Sequence, residues 1–207
     1  MADTNKSQSR SSLLYRFVAS RAQRLAGGLA NESSDARASL AVLRRSLSAP
    51  LAEQPQVWSE VFNSFPAELE GPRDEPGVYE TAAHLALAFF ALHQQSRNEP
   101  MHKANEGFGM AMCKLHQVSG ENQKKGIERR FNAALTAQTT DELVHHLRGL
   151  IQMLRSCSIP MDYGQLANDL VALNYPDSAR RVRLRWAREV NRVPQSESGD
   201  SDNKVEN

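Results

Sequence analysis

A chain of 207 residues with 40% hydrophobic content and only 6% aromatic residues is long enough to bury one sizeable core or two small ones. Its formal net charge of +1 excludes the overall basicity of a general nucleic-acid binder, so a charge-driven role must come from how the charges are distributed. The two cysteines, Cys113 and Cys157, lack C-x-x-C spacing, which argues against a disulfide framework and a zinc ribbon and for reduced thiols in a cytoplasmic protein.

Residues 1–11 are polar, with no apolar run to make a secretory signal, and are expected to form a disordered tail. Helical periodicity begins at Leu13 and predicts helices over Leu13–Leu29 and Ser34–Ser48, then a break at Pro50 and Pro55, then a helix over Gln56–Phe65. The stretch PAELEGPRDEPG, Pro66–Gly77, carries three prolines and two glycines and is a loop. Acidic residues concentrate here: Glu53, Glu60, Glu68, Glu70, Asp74, Glu75 and Glu80. From Val78 to Gln95 apolar residues run almost all the way round the helix, which marks a central element. Its apolar run, starting at Ala82, is too short to span a bilayer and contains His84, so no membrane association is expected.

After the turn RNEPMH come Phe108–Val118, a break at SGENQ, and helices over Lys125–Ala137, Asp141–Ser156, Gln165–Asn174 and Asp177–Arg192. No strand-like alternation of useful length interrupts the series. The expected fold is all-α: two small packed helical bundles, 12–119 and 120–193, followed by a disordered acidic tail at 194–207.

Arginine crowds the segments Arg10–Arg45 and Lys124–Arg192. In Asp141–Ser156, Leu143, Leu147, Leu150, Ile151 and Leu154 form a buried face, and His145, Arg148, Gln152 and Arg155 form a second, polar stripe without an acid. Adjacent positions diverge by about 100° on a helix, so His145 and His146 are poorly placed to chelate one ion. In the last helix Val182, Trp186 and Val190 step along one face while Arg181, Arg185, Arg188 and Arg192 step along another. Such a row repels itself unless something acidic lies opposite; its plainer reading is a solvated face partly neutralised by Glu189 and Asp177. Further clusters are Arg44 with Arg45, and Arg129 with Arg130. Arginine in preference to lysine suits bidentate phosphate contact.

Other chemistry finds little support. His93 and His102 straddle a turn without an H-E-x-x-H motif or a cysteine partner, which favours structural hydrogen bonding over a metal. Gly107–Gly109 is too short for a phosphate loop, and Asp162 and Asp169 read as a turn residue and a helix-surface residue. No nucleophile motif appears, so neither catalysis, nor a cofactor, nor a small-molecule substrate is expected.

The segments ALHQQSR, IERRFNAALTAQTTDELVHHLRGLIQMLR and IPMDYGQLANDL, with the arginine-rich ARRVRLRWARE after them, resemble the CasB-type small subunit of the type I-E CRISPR surveillance complex Cascade over roughly Ala36 to Arg192. The resemblance implies an all-helical, non-catalytic subunit. Its implied partners are the backbone and large subunits of Cascade, a second copy of itself, the CRISPR RNA, and target and non-target DNA. It also implies backbone-binding roles for Arg44, Arg45, Arg129, Arg130, Arg148, Arg180, Arg181 and Arg183, to which the row in the last helix adds Arg185 and Arg188. Two departures stand out: Met110 replaces an arginine common in relatives, and WAREVNR replaces their aromatic-rich ending. The alternative is a helical adaptor whose arginines meet acidic protein surfaces; a histidine-dependent hydrolase is disfavoured by the missing nucleophile.

Overall fold

The computed structural model describes residues 2–192, with side chains from residue 9 onward. Among these residues the expected periodicity becomes nine α-helices: α1 (Ala2–Ala30), α2 (Ser34–Arg45), α3 (Pro55–Phe62), α4 (Val78–Gln94), α5 (Phe108–Val118), α6 (Glu121–Thr136), α7 (Thr140–Ser156), α8 (Tyr163–Leu173) and α9 (Pro176–Val190). There is no strand among them; a single parallel bridge pairs His102 with Met161 and ties the α4–α5 loop to the α7–α8 loop. Helix α1 starts at Ala2, so it runs through residues read from the sequence as a polar tail. The expected acidic tail, 194–207, lies outside the described residues. No described helix is long and apolar enough to cross a membrane.

Local chemistry sets the helix ends. Thr139 Oγ1 accepts from the Glu142 amide at 3.2 Å while Glu142 Oε2 accepts from the Gln138 amide at 2.9 Å, and these paired contacts start α7. Asp162 caps α8 by accepting from the Gln165 amide at 3.0 Å, as its reading as a turn residue anticipates. Caps of this kind contribute about 1 kcal/mol each. Pro55 and Pro176 open α3 and α9 at the first turn, where a missing N–H costs nothing.

Helix α4 is the axis. Ala83, Ala86, Leu87, Ala88, Phe89 and Phe90 are fully buried, and α1, α2, α7 and α8 pack around it. Helices α6 and α7 pair, and α9 lies on α5 and α8. The expected boundary near residue 120 falls in the short link between α5 and α6, but the apolar core runs across it. Leu14 and Val18 of α1 share one cluster with Leu166 and Leu170 of α8 and Trp186 of α9. The α1–α8 contact needs a glycine: a Cβ at Gly164 would stand 2.7 Å from the Tyr15 ring.

A buried polar network holds the loops to this core. Tyr163 is fully buried, its hydroxyl 2.8 Å from His93 Nδ1, and its amide donates to His102 Nδ1 at 3.2 Å. Burial pushes His93 down to about 4, so the ring is neutral at physiological pH. These two histidines hold loops, as the sequence suggests.

Candidate nucleic-acid interface

The apolar stripe of α7 is buried as a unit: Leu147, Leu150, Ile151 and Leu154 are inaccessible and Leu143 nearly so. That fixes the helix rotation and turns Arg148 and His145 to solvent, with His146 half-buried at the margin. Arg155, on the same stripe, is held by donating to Gln95 Oε1 at 2.6 Å. On α6, Ile127, Phe131 and Ala134 face the core, which leaves Arg129 and Arg130 outside. Arg130 lies along α7, since a Cβ at Gly149 would meet its Cδ at 3.6 Å. The structure therefore brings Arg129, Arg130 and Arg148 onto one helix pair, and among the described residues none of the three forms an ion pair.

The row on α9 divides. Val182 and Trp186 are buried and Val190 packs on the core. Arg181 and Arg188 are exposed and line a shallow depression of about 350 Å³ with Leu184 and Arg192. Arg180, also exposed, lies 3.9 Å from Asp177. Arg183 turns back to donate to the Ala137 carbonyl at 3.0 Å, closing the end of α6. Arg185 pairs with Asp169 of α8, whose other oxygen accepts from Trp186 Nε1 at 2.8 Å, and its Nε lies 3.7 Å from Glu189.

Asp169 corrects the reading of that residue as a helix-surface group. It is 3% exposed and is the acid that lies opposite the row. Burial pushes its carboxyl up to about 6, against the opposing pull of the Arg185 guanidinium. Glu189 is raised as well, chiefly by burial, and faces the Gly109 and Met110 amides in the first turn of α5. Gly109 permits that approach: a Cβ there would stand 2.6 Å from Glu189 Oε2 and 2.8 Å from the Trp186 carbonyl. The Gly-Phe-Gly motif thus serves the contact between α5 and α9, where Met110 is half-buried.

Arg44 and Arg45 end α2, half-buried and exposed respectively. Helix α2 packs on α1, α3 and α4, whereas α9 packs on α5 and α8, so the ten arginines form separate groups and not one continuous strip. Among the described residues no three His, Cys, Asp or Glu side chains come together as a metal-binding group.

A family model described as CRISPR-associated protein Cse2 matches residues 39–189. The chain is similar to the crystal structure of CasB from Thermobifida fusca, with a TM-score of 0.70 and 28% identity over 87% of this chain and 98% of that one. It is also similar to CasB from M. ruber, with a TM-score of 0.55 and 26% identity over 82% of this chain and 92% of that one. No curated protein matches the sequence.

Proposed function

This chain belongs to the CRISPR-associated Cse2 family of Cascade small subunits, and on that premise we propose that it holds the backbone of the opened nucleic acid, chiefly the displaced non-target strand, and so stabilises the R-loop. The observation that carries the reading is the α6–α7 pair, where Arg129, Arg130 and Arg148 are exposed and free of acidic partners among the described residues. Buried apolar faces orient them, Ile127, Phe131 and Ala134 on α6 and the leucine stripe on α7, so they are presented to a ligand without reordering the fold.

Energetically, an R-loop exchanges one duplex for another of similar stability, and modest contacts to a single strand tip the balance. Such contacts must ignore sequence, as guanidinium–phosphate pairs do. Arg45, Arg180, Arg181 and Arg188 are the further candidates that reach solvent, and Arg44 is half-exposed. Arg183 and Arg185 are proposed as weaker contributors, because both already serve protein groups. The role is non-catalytic, and the CRISPR RNA, target DNA and a second copy of the chain complete the proposed set of partners.

The alternative is an assembly module whose arginines meet acidic protein surfaces; Trp58 and Phe62 of α3, tilted at 51° with ring centroids 6.4 Å apart and 41% and 38% exposed, would give such a module an apolar contact as well. The two readings assign different partners to the same arginines. Binding of a labelled single strand over a salt series separates them: four neutralised phosphates give a slope of about −3 in log affinity against log salt. Absence of salt-dependent retardation would leave the assembly reading alone.

A further inference from the structure

A cleft of about 870 Å³ separates the segment Leu47–Ala52 from the N-terminal half of α7. Leu47, Leu51, Leu85 and Val144 line it, and Arg148 and His145 stand on its α7 side. Both of these are exposed. Polar contacts hold the opposite bank in place. Gln54 Nε2 donates to the Ser46 and Ala49 carbonyls, Trp58 Nε1 donates to the Leu51 carbonyl at 2.9 Å, and Ser46 Oγ lies 2.7 Å from His84 Nε2. Burial pushes His84 down to about 4, so this wall carries no charge from the ring at physiological pH. A second depression, of about 460 Å³, shares Thr81, Leu85 and Thr140 with the first and reaches Arg183. The result is a preformed trough with aliphatic walls and a polar margin, which carries Arg148 in one half and ends at Arg183, bonded to the Ala137 carbonyl, in the other.

The trough's composition selects its occupant. A free anion would gain nothing from the leucine and valine walls, and Glu75 and Asp141 on the same walls oppose a phosphate entering. A purely apolar side chain would leave both guanidiniums unused. A stacked duplex keeps its bases inside. An unstacked nucleotide satisfies every part, with an uncharged flat base against the aliphatic walls, its edge near carboxylate and hydroxyl groups, and its phosphate at the arginine.

We propose that this trough takes unstacked bases of a single nucleic-acid strand whose phosphate rests on Arg148, with Arg183, which already donates to the Ala137 carbonyl, a weaker contact at the far end. The inference rests on the backbone-binding reading above and adds a base subsite to it. No Phe, Tyr or Trp lines the trough, so each base is held by aliphatic contact and without preference for sequence.

The test compares the full chain's affinity for a single strand carrying bases with that for a fully abasic strand of equal length and charge, across a salt series. The base-carrying strand should bind about fivefold or more tightly, which is what burying roughly 40 Å² of base surface against the aliphatic walls contributes, with an unchanged salt slope. Filling the trough from its partly open bank with Ala49→Leu and Ala52→Leu should abolish that difference while leaving binding of the abasic strand intact. Equal affinity of the wild-type chain for both strands, with the slope preserved, overturns the base subsite and leaves backbone binding standing. A base preference that survives in a folded double variant also overturns it, placing the bases elsewhere. Salt-dependent binding of neither strand removes the backbone reading, and the trough with it.

Discussion

Two arginine-bearing surfaces meet different fates. On α6 and α7, Arg129, Arg130 and Arg148 stand in solvent without acidic partners among the described residues; on α9, two arginines are claimed from within, Arg183 by the Ala137 carbonyl at the end of α6 and Arg185 by Asp169 of α8. The difference is not in α9 itself. It comes from what the neighbouring helices carry on the side facing it. A basic stripe is free charge only where the element opposite is apolar or absent.

The largest expected effect comes from removing the group that claims Arg185. Asp169→Ala should destabilise the fold by about 3 kcal/mol, since it strands a guanidinium and leaves the buried Trp186 N–H without an acceptor. Urea unfolding measures this, and a loss below about 1 kcal/mol would mean that α9 does not depend on the pair. The next effect is on binding. Replacing Arg129, Arg130 and Arg148 by alanine should bring the single-strand salt slope from about −3 to about −1, at about 0.7 per lost contact. Stability should stay within about 0.5 kcal/mol, because these side chains lie off the buried face. A folded triple variant with an unchanged slope would move the interface to another surface.

A paired comparison on α9 sharpens the contrast. Arg181→Ala with Arg188→Ala should lower the slope by no more than about 0.7 with stability unchanged, since Arg129, Arg130 and Arg148 account for three of the four contacts. Arg185→Ala should do the reverse, costing stability and leaving the slope near its wild-type value at neutral pH. Equal effects from both variants would erase the division drawn within the row. The smallest effect follows from titration of Asp169. Above about pH 6 its carboxylate neutralises Arg185, and below that it takes up a proton and releases the guanidinium. The slope should then steepen by up to about 0.7 on going from neutral pH to pH 5. Asp169→Asn should remove this pH dependence, and a steepening of the same size in that variant would assign it to other groups.

Much of the architecture was legible before any coordinates. The leucine stripe of α7, the Val182–Trp186–Val190 face of α9 and the all-round apolarity of α4 each follow from side-chain period, and each is buried as the period requires. The exposure of Arg148 follows in turn, because a helix pinned by five apolar residues has one rotation left. Other features were not legible. Asp169 looks like any polar residue on an amphipathic helix; that it is buried depends on α9 lying across it. The role of Gly109 appears only when Glu189 stands at its Cα. The continuity of the core across the α5–α6 link depends likewise on what packs against what.

The sequence by itself thus determined which segments are helical, which face of each is apolar, and which residues of the Cse2 family pattern are present. Those properties depend on residues three and four apart, a distance the helix itself spans. Only the tertiary structure decided which arginines remain free, which carboxylate is buried, and that a trough lies between α7 and the segment after α2. These are contacts between groups 16 to 100 residues apart along the chain, and their energies depend on burial and on the charge opposite, neither of which is a property of any local stretch.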